Sequence, residues 1–237
     1  MMKAARRLAA ASAICASVVA GADAGDGNRA TVLQISPPGS TQGNVLVLDQ
    51  SAASNSILTG VPLTGTLAGT LSGTFMPSNQ LYGMAATQAG EGNSAHITLT
   101  GDGATAQLLQ TTDNGEGAAS LGGGNRATML VSSAAVAGLV QIGSGNEASL
   151  SVNPHASAWV SQIGNGNLVS DLSVGSGGEA VVSQTGDHNT TGAIIVPSGV
   201  TLNYSQTGNG LSPANGNGVQ VIYSGAPGAI TISQQGW

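Results

Sequence analysis

Apolar and polar residues alternate along most of this chain, on either side of a recurring Gln-x-Gly-x-x-Asn unit. Counting back by twos gives Ala86 and Met84 before Gln88, Leu108 and Ala106 before Gln110, Leu139 and Ala137 before Gln141, and Val160 and Ala158 before Gln162. Val182 and Ala180 precede Gln184, Tyr204 and Leu202 precede Gln206, and Ile232 and Ile230 precede Gln234 in the same way. Counting forward gives Ala95, Ile97 and Leu99 after Asn93, Ala127, Met129 and Val131 after Asn125, Ala148, Leu150 and Val152 after Asn146, and Thr191, Ala193 and Ile195 after Asn189. A period of two predicts strands with one apolar face, here on the same side as Gln and Asn. The stretch after Asn167 departs from this, because the same count puts Asp171 inside. A one-residue slip there turns Leu168 and Leu172 inward instead.

The units recur at a nearly fixed step. Gln141 to Gln162 is 21 residues, and Gln162 to Gln184 and Gln184 to Gln206 are 22 each. Asn-to-Gln arms are 16 or 17 residues long, whereas larger length changes fall between Gln and Asn. The corner from Gln110 to Asn125 is swollen, and after Gln206 the Asn position is taken by Leu211 before the register resumes at Asn217. Opposite corners read Gly101-Asp-Gly103, Gly175-Ser-Gly-Gly178 and Pro197-Ser-Gly199, all turn chemistry. A fixed period of this size describes a unit that cannot bury its apolar face alone and must stack on its neighbours. The expected fold is all-β, a β-solenoid of stacked strand-turn-strand repeats of about 22 residues, amyloid-like in its strand stacking.

The expected division of the chain has four parts. Residues 1–24 have a basic start (Lys3, Arg6, Arg7), an apolar run and a small-residue cleavage site at Ala22-Asp23-Ala24, and read as a signal peptide. The apolar run is short for a transmembrane anchor, which needs about 20 residues. Residues 25–58 are degenerate N-terminal repeats, with Asn28 and Gln34, then Asn44 and Gln50, each pair six apart. Residues 59–79 break the pattern with Leu63, Leu67, Leu71 and Phe75 four apart and Gly65, Gly69 and Gly73 between them. Three glycines at about 1 kcal/mol each argue against a helix, so this is a Gly/Thr-rich insertion, and whether residues 25–79 join the stack is open. Residues 80–237 carry the regular repeats.

Composition narrows the class. Glycine supplies 37 of 237 residues, charged residues 7% and aromatics 3%. A conventional aromatic core is excluded, and so is high-charge disorder, which leaves backbone pairing along stacked strands as the source of stability. Beyond residue 24 the only basic residues are Arg29 and Arg126, so there is no nucleic-acid footprint and no attraction to an anionic membrane surface. Cys15, the only cysteine, lies within the leader, so no disulfide is expected.

The regular Gln and Asn positions carry the chemistry. A primary amide has two donors and an acceptor, so identical amides stacked about 4.7 Å apart bond to the copy above and the copy below. A buried amide without such a partner costs about 1–3 kcal/mol. The expected ladder comprises Gln88, Asn93, Gln110, Asn125, Gln141, Asn146, Gln162, Asn167, Gln184, Asn189, Gln206, Asn217 and Gln234, with corner glycines Gly90, Gly143, Gly164, Gly186 and Gly208. Asn and Gly as mere turn formers would account for Asn but not for Gln.

Gln-x-Gly-x-x-Asn after alternating apolar residues, recurring at about 22, resembles the curlin repeat of curli fibre subunits. The hexapeptide is complete four times, from Gln88, Gln141, Gln162 and Gln184. The fuller family pattern adds a Ser six before the Gln and a second Gln six after the Asn. The first is replaced by Ala135, Ala156 and Gly178, and the second survives only at Gln34 and Gln50, with Leu99, Val152, Ser173 and Ile195 elsewhere. The resemblance implies a secreted subunit that polymerises outside a bacterial cell into amyloid fibres for adhesion and biofilm matrix. It also implies other curli subunits, an outer-membrane secretion pore and accessory proteins as partners. A last repeat without basic residues favours the major subunit over a surface-bound nucleator.

Other classes find little support. His96, His155 and His188 are isolated, with no metal-ligand spacing, and no Gly-x-Ser-x-Gly elbow is present. Neither catalysis nor a cofactor or metal is expected. A monomeric solenoid adhesin or ice-binding protein remains the alternative, although Thr98-Leu-Thr100 is not repeated in register as ice binding would require.

Overall fold

A computed structural model of the chain describes residues 27–36, 42–61, 85–112, 123–213 and 228–236. The expected leader, most of the 59–79 segment, Met84 and Asn217 lie outside these residues. The described residues are all-β, without a helix. One sheet is built from β1 (Arg29–Ala30), β2 (Val32–Ile35), β4 (Ile57–Thr59), β5 (Ala86–Ala89), β7 (Thr105–Thr111), β9 (Val136–Ile142), β11 (Ser157–Ile163), β13 (Glu179–Thr185), β15 (Thr201–Thr207) and β16 (Ala229–Gln235). The other is built from β3 (Val45–Ser54), β6 (Ser94–Asp102), β8 (Arg126–Val131), β10 (Glu147–Val152), β12 (Leu168–Val174) and β14 (Ala193–Val196).

Every recorded strand pair is parallel, because the chain visits the second sheet before returning to the first one layer further on. A pair of consecutive strands, one in each sheet, forms a rung. Ala158 pairs with Ala137 on one side and Ala180 on the other, and Val160 likewise with Leu139 and Val182. Inward residues of both sheets merge into one apolar core, including Ala106, Leu108, Leu139, Leu202 and Tyr204 from the first sheet and Ile97, Met129, Leu150 and Leu172 from the second. Burying each such aliphatic side chain contributes about 1.5–3 kcal/mol. Many of the residues that line the core, among them Ala106, Ala137, Ala158, Val160 and Val182, are small or β-branched and suit a thin space between two pleated faces.

Residues 29–35 and 45–59 join this stack. β1 pairs with β4, β2 with β5, and β3 with β6. The break in the pattern is not at a corner. β4 and β5 lie in line on the same neighbour, with Thr59 opposite Gln107 and Thr87 opposite Leu109, so residues between them depart from the middle of a strand. Thr59 itself is the last residue of β4 rather than the first of the insertion.

Two strands differ from the alternation expected for them. After Asn167, Val169 and Leu172 both point inward, while Asp171 is exposed and Leu168 only half-buried. The pairing shifts between Ala148↔Val169 and Leu150↔Leu172, so Ser170 and Asp171 together stand against Ser149. This bulge accommodates an extra residue without burying a carboxylate. The next rung inherits the shift, because Leu172 pairs with Ile194 and Val174 with Val196. Ile194 and Val196 are therefore the inward residues, and Ala193 and Ile195, expected inside, face solvent, Ile195 at 49% exposure.

Candidate functional site: the amide corner

The chain turns from the first sheet to the second at the Gln-x-Gly-x-x-Asn corners. Gln88, Gln110, Gln141, Gln162, Gln184 and Gln206 are fully buried there, as are Asn93, Asn125, Asn146, Asn167 and Asn189. Pairing holds the glutamines in register, so that Gln162 lies between Gln141 and Gln184.

Their amides form one continuous row. Nε2 of each Gln donates to Oε1 of the next, from Gln34 to Gln88 at 2.6 Å, Gln88 to Gln110 at 2.8 Å, and Gln110 to Gln141 at 2.7 Å. The row continues at 2.8 Å from Gln141 through Gln162, Gln184 and Gln206 to Gln234. The second proton of each amide reaches across the corner to a main-chain carbonyl at the start of the other sheet's strand. Gln141 bonds the Arg126 carbonyl and Gln162 the Glu147 carbonyl, both at 2.9 Å. Each internal Gln thus ties two rungs and two sheets together.

The asparagines form a second row that runs the other way. Nδ2 of Asn93 donates to Asn44 Oδ1 at 3.1 Å, Asn125 to Asn93 at 3.2 Å, Asn146 to Asn125 at 3.1 Å, and Asn167 to Asn146 at 3.0 Å. The amides of Asn125, Asn146 and Asn167 also bond corner carbonyls one rung further on, Gly143, Gly164 and Gly186, each at 2.8 Å. At the C-terminal end the row stops being amide to amide: Asn189 reaches Asn167 Oδ1 through its main-chain N–H at 3.0 Å, and Leu211, which fills the next Asn place, reaches Asn189 Oδ1 through its own main-chain N–H at 3.0 Å.

Glycine is required within this corner for two reasons. Gly164 has φ +117, and a Cβ there would overlap the carbonyl oxygen of Gly186; Gly143 meets Gly164 in the same way. Gly90, Gly186 and Gly208 also have positive φ.

Sequence reasoning reached these residues but missed two neighbouring features. An outer row runs along the same corner, with Asn165 Oδ1 accepting from the Ser144 N–H at 2.9 Å, Asp187 Oδ1 from the Asn165 N–H at 2.7 Å, and Asn209 Oδ1 from the Asp187 N–H at 2.7 Å. Its signal was present as Asn, Asp and Asn directly after Gly164, Gly186 and Gly208. The second feature lies at the opposite corner of the first rungs. Ser56 Oγ donates to Asn28 Oδ1 at 2.8 Å, and Gln50 Nε2 to Ser56 Oγ at 2.9 Å.

The remaining candidates do not converge. His96, His155 and His188 are exposed and lie in separate rungs, and no group of metal-binding side chains occurs among the described residues. His188 has φ +57 and occupies the corner position that Gly145, Gly166 and Gly210 hold in other rungs. Tyr204 has its hydroxyl pushed up in pKa by burial and donates it to Gln234 Oε1 at 2.8 Å, a structural contact at the end of the ladder. The arrangement holds strands in register. No protein-family model, curated protein or solved structure matches the chain.

Proposed function

We propose that this chain is a structural subunit of an extracellular curli-type fibre, a β-solenoid of stacked repeats that polymerises by templated strand addition and supports adhesion and biofilm matrix. The observation that carries this reading is the direction of the glutamine row. Every amide donates toward the C-terminal end, so among the described residues Nε2 of Gln234 has no acceptor and Oε1 of Gln34 has no donor. A donor at one end and an acceptor at the other are complementary, and a second copy stacked end to end continues the row. Among the described residues, strands at both ends of the first sheet, β1 with β2 and β16, also have unpaired edges, which template further pairing unless capped.

Acidic groups at or beside corners, Glu91, Glu147 and Asp187 among them, repel one another along such a stack. Assembly is then slow at low ionic strength and faster as salt screens them. The resemblance in the repeat adds a secretion pore, accessory proteins and other curli subunits as partners, and the absence of a basic residue from Ala229 to Gly236 favours the major subunit over the nucleator.

The test is assembly of residues 25–237 diluted from denaturant, followed by fibre diffraction. The expected result is fibres with reflections at about 4.7 and 10 Å. A chain that stays monomeric at high concentration under every salt condition overturns the reading and leaves a capped, monomeric adhesin in its place.

A further inference from the structure

The asparagines of the two rows are not equally open to attack by their own backbone. An Asn amide is lost when the main-chain nitrogen of the following residue attacks its Cγ. That attack is fastest before Gly, which has no Cβ to crowd the nitrogen and leaves the backbone freest to bend. The residues that follow the buried ladder asparagines are Ser94, Arg126, Glu147, Leu168 and Thr190, never Gly. The outer row is different. Among the described residues only Asn165 and Asn209 precede Gly, and both belong to that row.

These two sites are held unequally. Asn165 is half-buried in mid-stack: its Oδ1 accepts the Ser144 N–H, its Nδ2 donates to Asp187 Oδ1 at 3.2 Å, and the Gly166 N–H bonds the Ser144 carbonyl at 2.9 Å. The His188 ring also covers Gly166, with Cδ2 3.0 Å from where a Cβ would stand. Asn209 and Gly210 are exposed. Asn209 Oδ1 accepts the Asp187 N–H, and the Gly210 N–H bonds the Asp187 carbonyl at 2.8 Å. Asn209 Nδ2, however, has no acceptor among the described residues, and nothing lies within 4 Å of a Cβ placed on Gly210. This corner is one rung from the last described strand, and a stack opens most easily toward its ends.

We infer that Asn209–Gly210 is a site of spontaneous deamidation in the folded chain and that Asn165–Gly166 is protected from it. The Gly210 nitrogen, having given its proton to water, attacks Cγ of Asn209; the Cγ–Nδ2 bond breaks and ammonia leaves. Water then opens the five-membered imide at one of its two carbonyls, giving aspartate or isoaspartate. Either product puts a second carboxylate in the outer row, one rung from Asp187. Isoaspartate also adds one carbon to the main chain ahead of Leu211, whose N–H makes the last contact of the Asn row. The stack thus gains charge at its C-terminal corner with age, while the buried ladder amides stay neutral. The inference stands whether or not the chain polymerises.

Incubation of residues 25–237 in mildly alkaline buffer, followed by peptide mapping with mass spectrometry, reads both sites in one sample. In the folded chain Asn209 is expected to convert at least about ten-fold faster than Asn165. In urea, where the stack is gone, the two convert at similar rates. Equal rates in the folded chain overturn the inference, as does an Asn209 that stays intact while the urea sample converts. Asn209→Asp supplies one product directly. It is expected to steepen the salt dependence of the urea midpoint, and Asp187→Asn in the same chain to remove that effect. A salt dependence that Asn209→Asp leaves unchanged overturns the juxtaposition of the two carboxylates.

Discussion

The two corners of each rung solve the same problem in opposite ways. At the amide corner every internal described rung has a buried Gln bonded to its copies on either side. At the far corner only the first rungs are polar, where Asn28, Gln50 and Ser56 bond one another. From there the equivalent places hold Leu99, Val131, Val152, Val174 and Val196 in one row, paired in register, and Ala104, Ala135, Ala156, Gly178 and Val200 in the other. A stacked corner is stable as all amide or all apolar, because an amide facing a valine leaves donors unpaired in a dry space. The change of chemistry is harmless where Gln50 turns to Ser56 rather than toward Leu99.

Substitutions made in pairs across the two corners test this. The largest contrast is between Gly164→Ala and Gly177→Ala, both at positive φ. At Gly164 the added Cβ runs into the Gly186 backbone, whereas at Gly177 nothing lies within 4 Å. The first costs about 4 kcal/mol or more and the second about 1–2 kcal/mol, read from urea denaturation of the soluble chain.

Next comes Gln162→Ala against Gln50→Ala. Removing Gln162 strands Nε2 of Gln141 and Oε1 of Gln184, both buried, and takes a donor from the part-buried Glu147 carbonyl, for about 3 kcal/mol. Gln50 is only part-buried and holds one rung, so its loss costs about 1 kcal/mol. Equal costs at the two sites would remove the distinction between a continuous row and a local contact.

The smallest effect concerns pH at the far corner. The Asn55 amide, and after it the Ser54 hydroxyl, donate to Asp102 and hold its carboxyl below the ordinary carboxylate range. A group with a lowered folded-state pKa contributes stability above its unfolded value, and that contribution is lost as pH falls through the lowered one. Asp102→Asn is expected to lose that small contribution at neutral pH and to flatten slightly the acid limb of the stability curve below about pH 4, where the two chains converge. A difference between the two chains that persists unchanged at the acid end would contradict the assignment.

Much of this was legible in the sequence because two periodicities coincide, the strand alternation and the Gln-to-Gln step. Together they place the inward face of most strands and name the buried amides. What they could not place were single extra residues. The change from a 16- to a 17-residue arm is absorbed as a bulge at Ser170 and Asp171 in one rung, but at the far corner, around Asp102, in another. Counting by twos from Asn189 therefore chose Ile195 over Ile194, since a bulge inverts every later position without leaving a Gly or Pro to mark it. The strand broken between Thr59 and Ala86 was equally hidden, because its two halves meet only in space. The opposite polarities of the Gln and Asn rows depend on amide orientation, which spacing does not encode.

A fibre of this chain grows at the ends of the stack, and seeded elongation measures that growth directly. Fragmented fibres of residues 25–237 are added to fresh chain and followed by thioflavin fluorescence. The lag is expected to vanish and the initial rate to rise in proportion to seed number, with Gln162→Ala seeds and chains elongating poorly. A lag and rate indifferent to seeds, in a chain that remains a β-rich monomer, would contradict templated stacking and identify a closed, self-contained molecule.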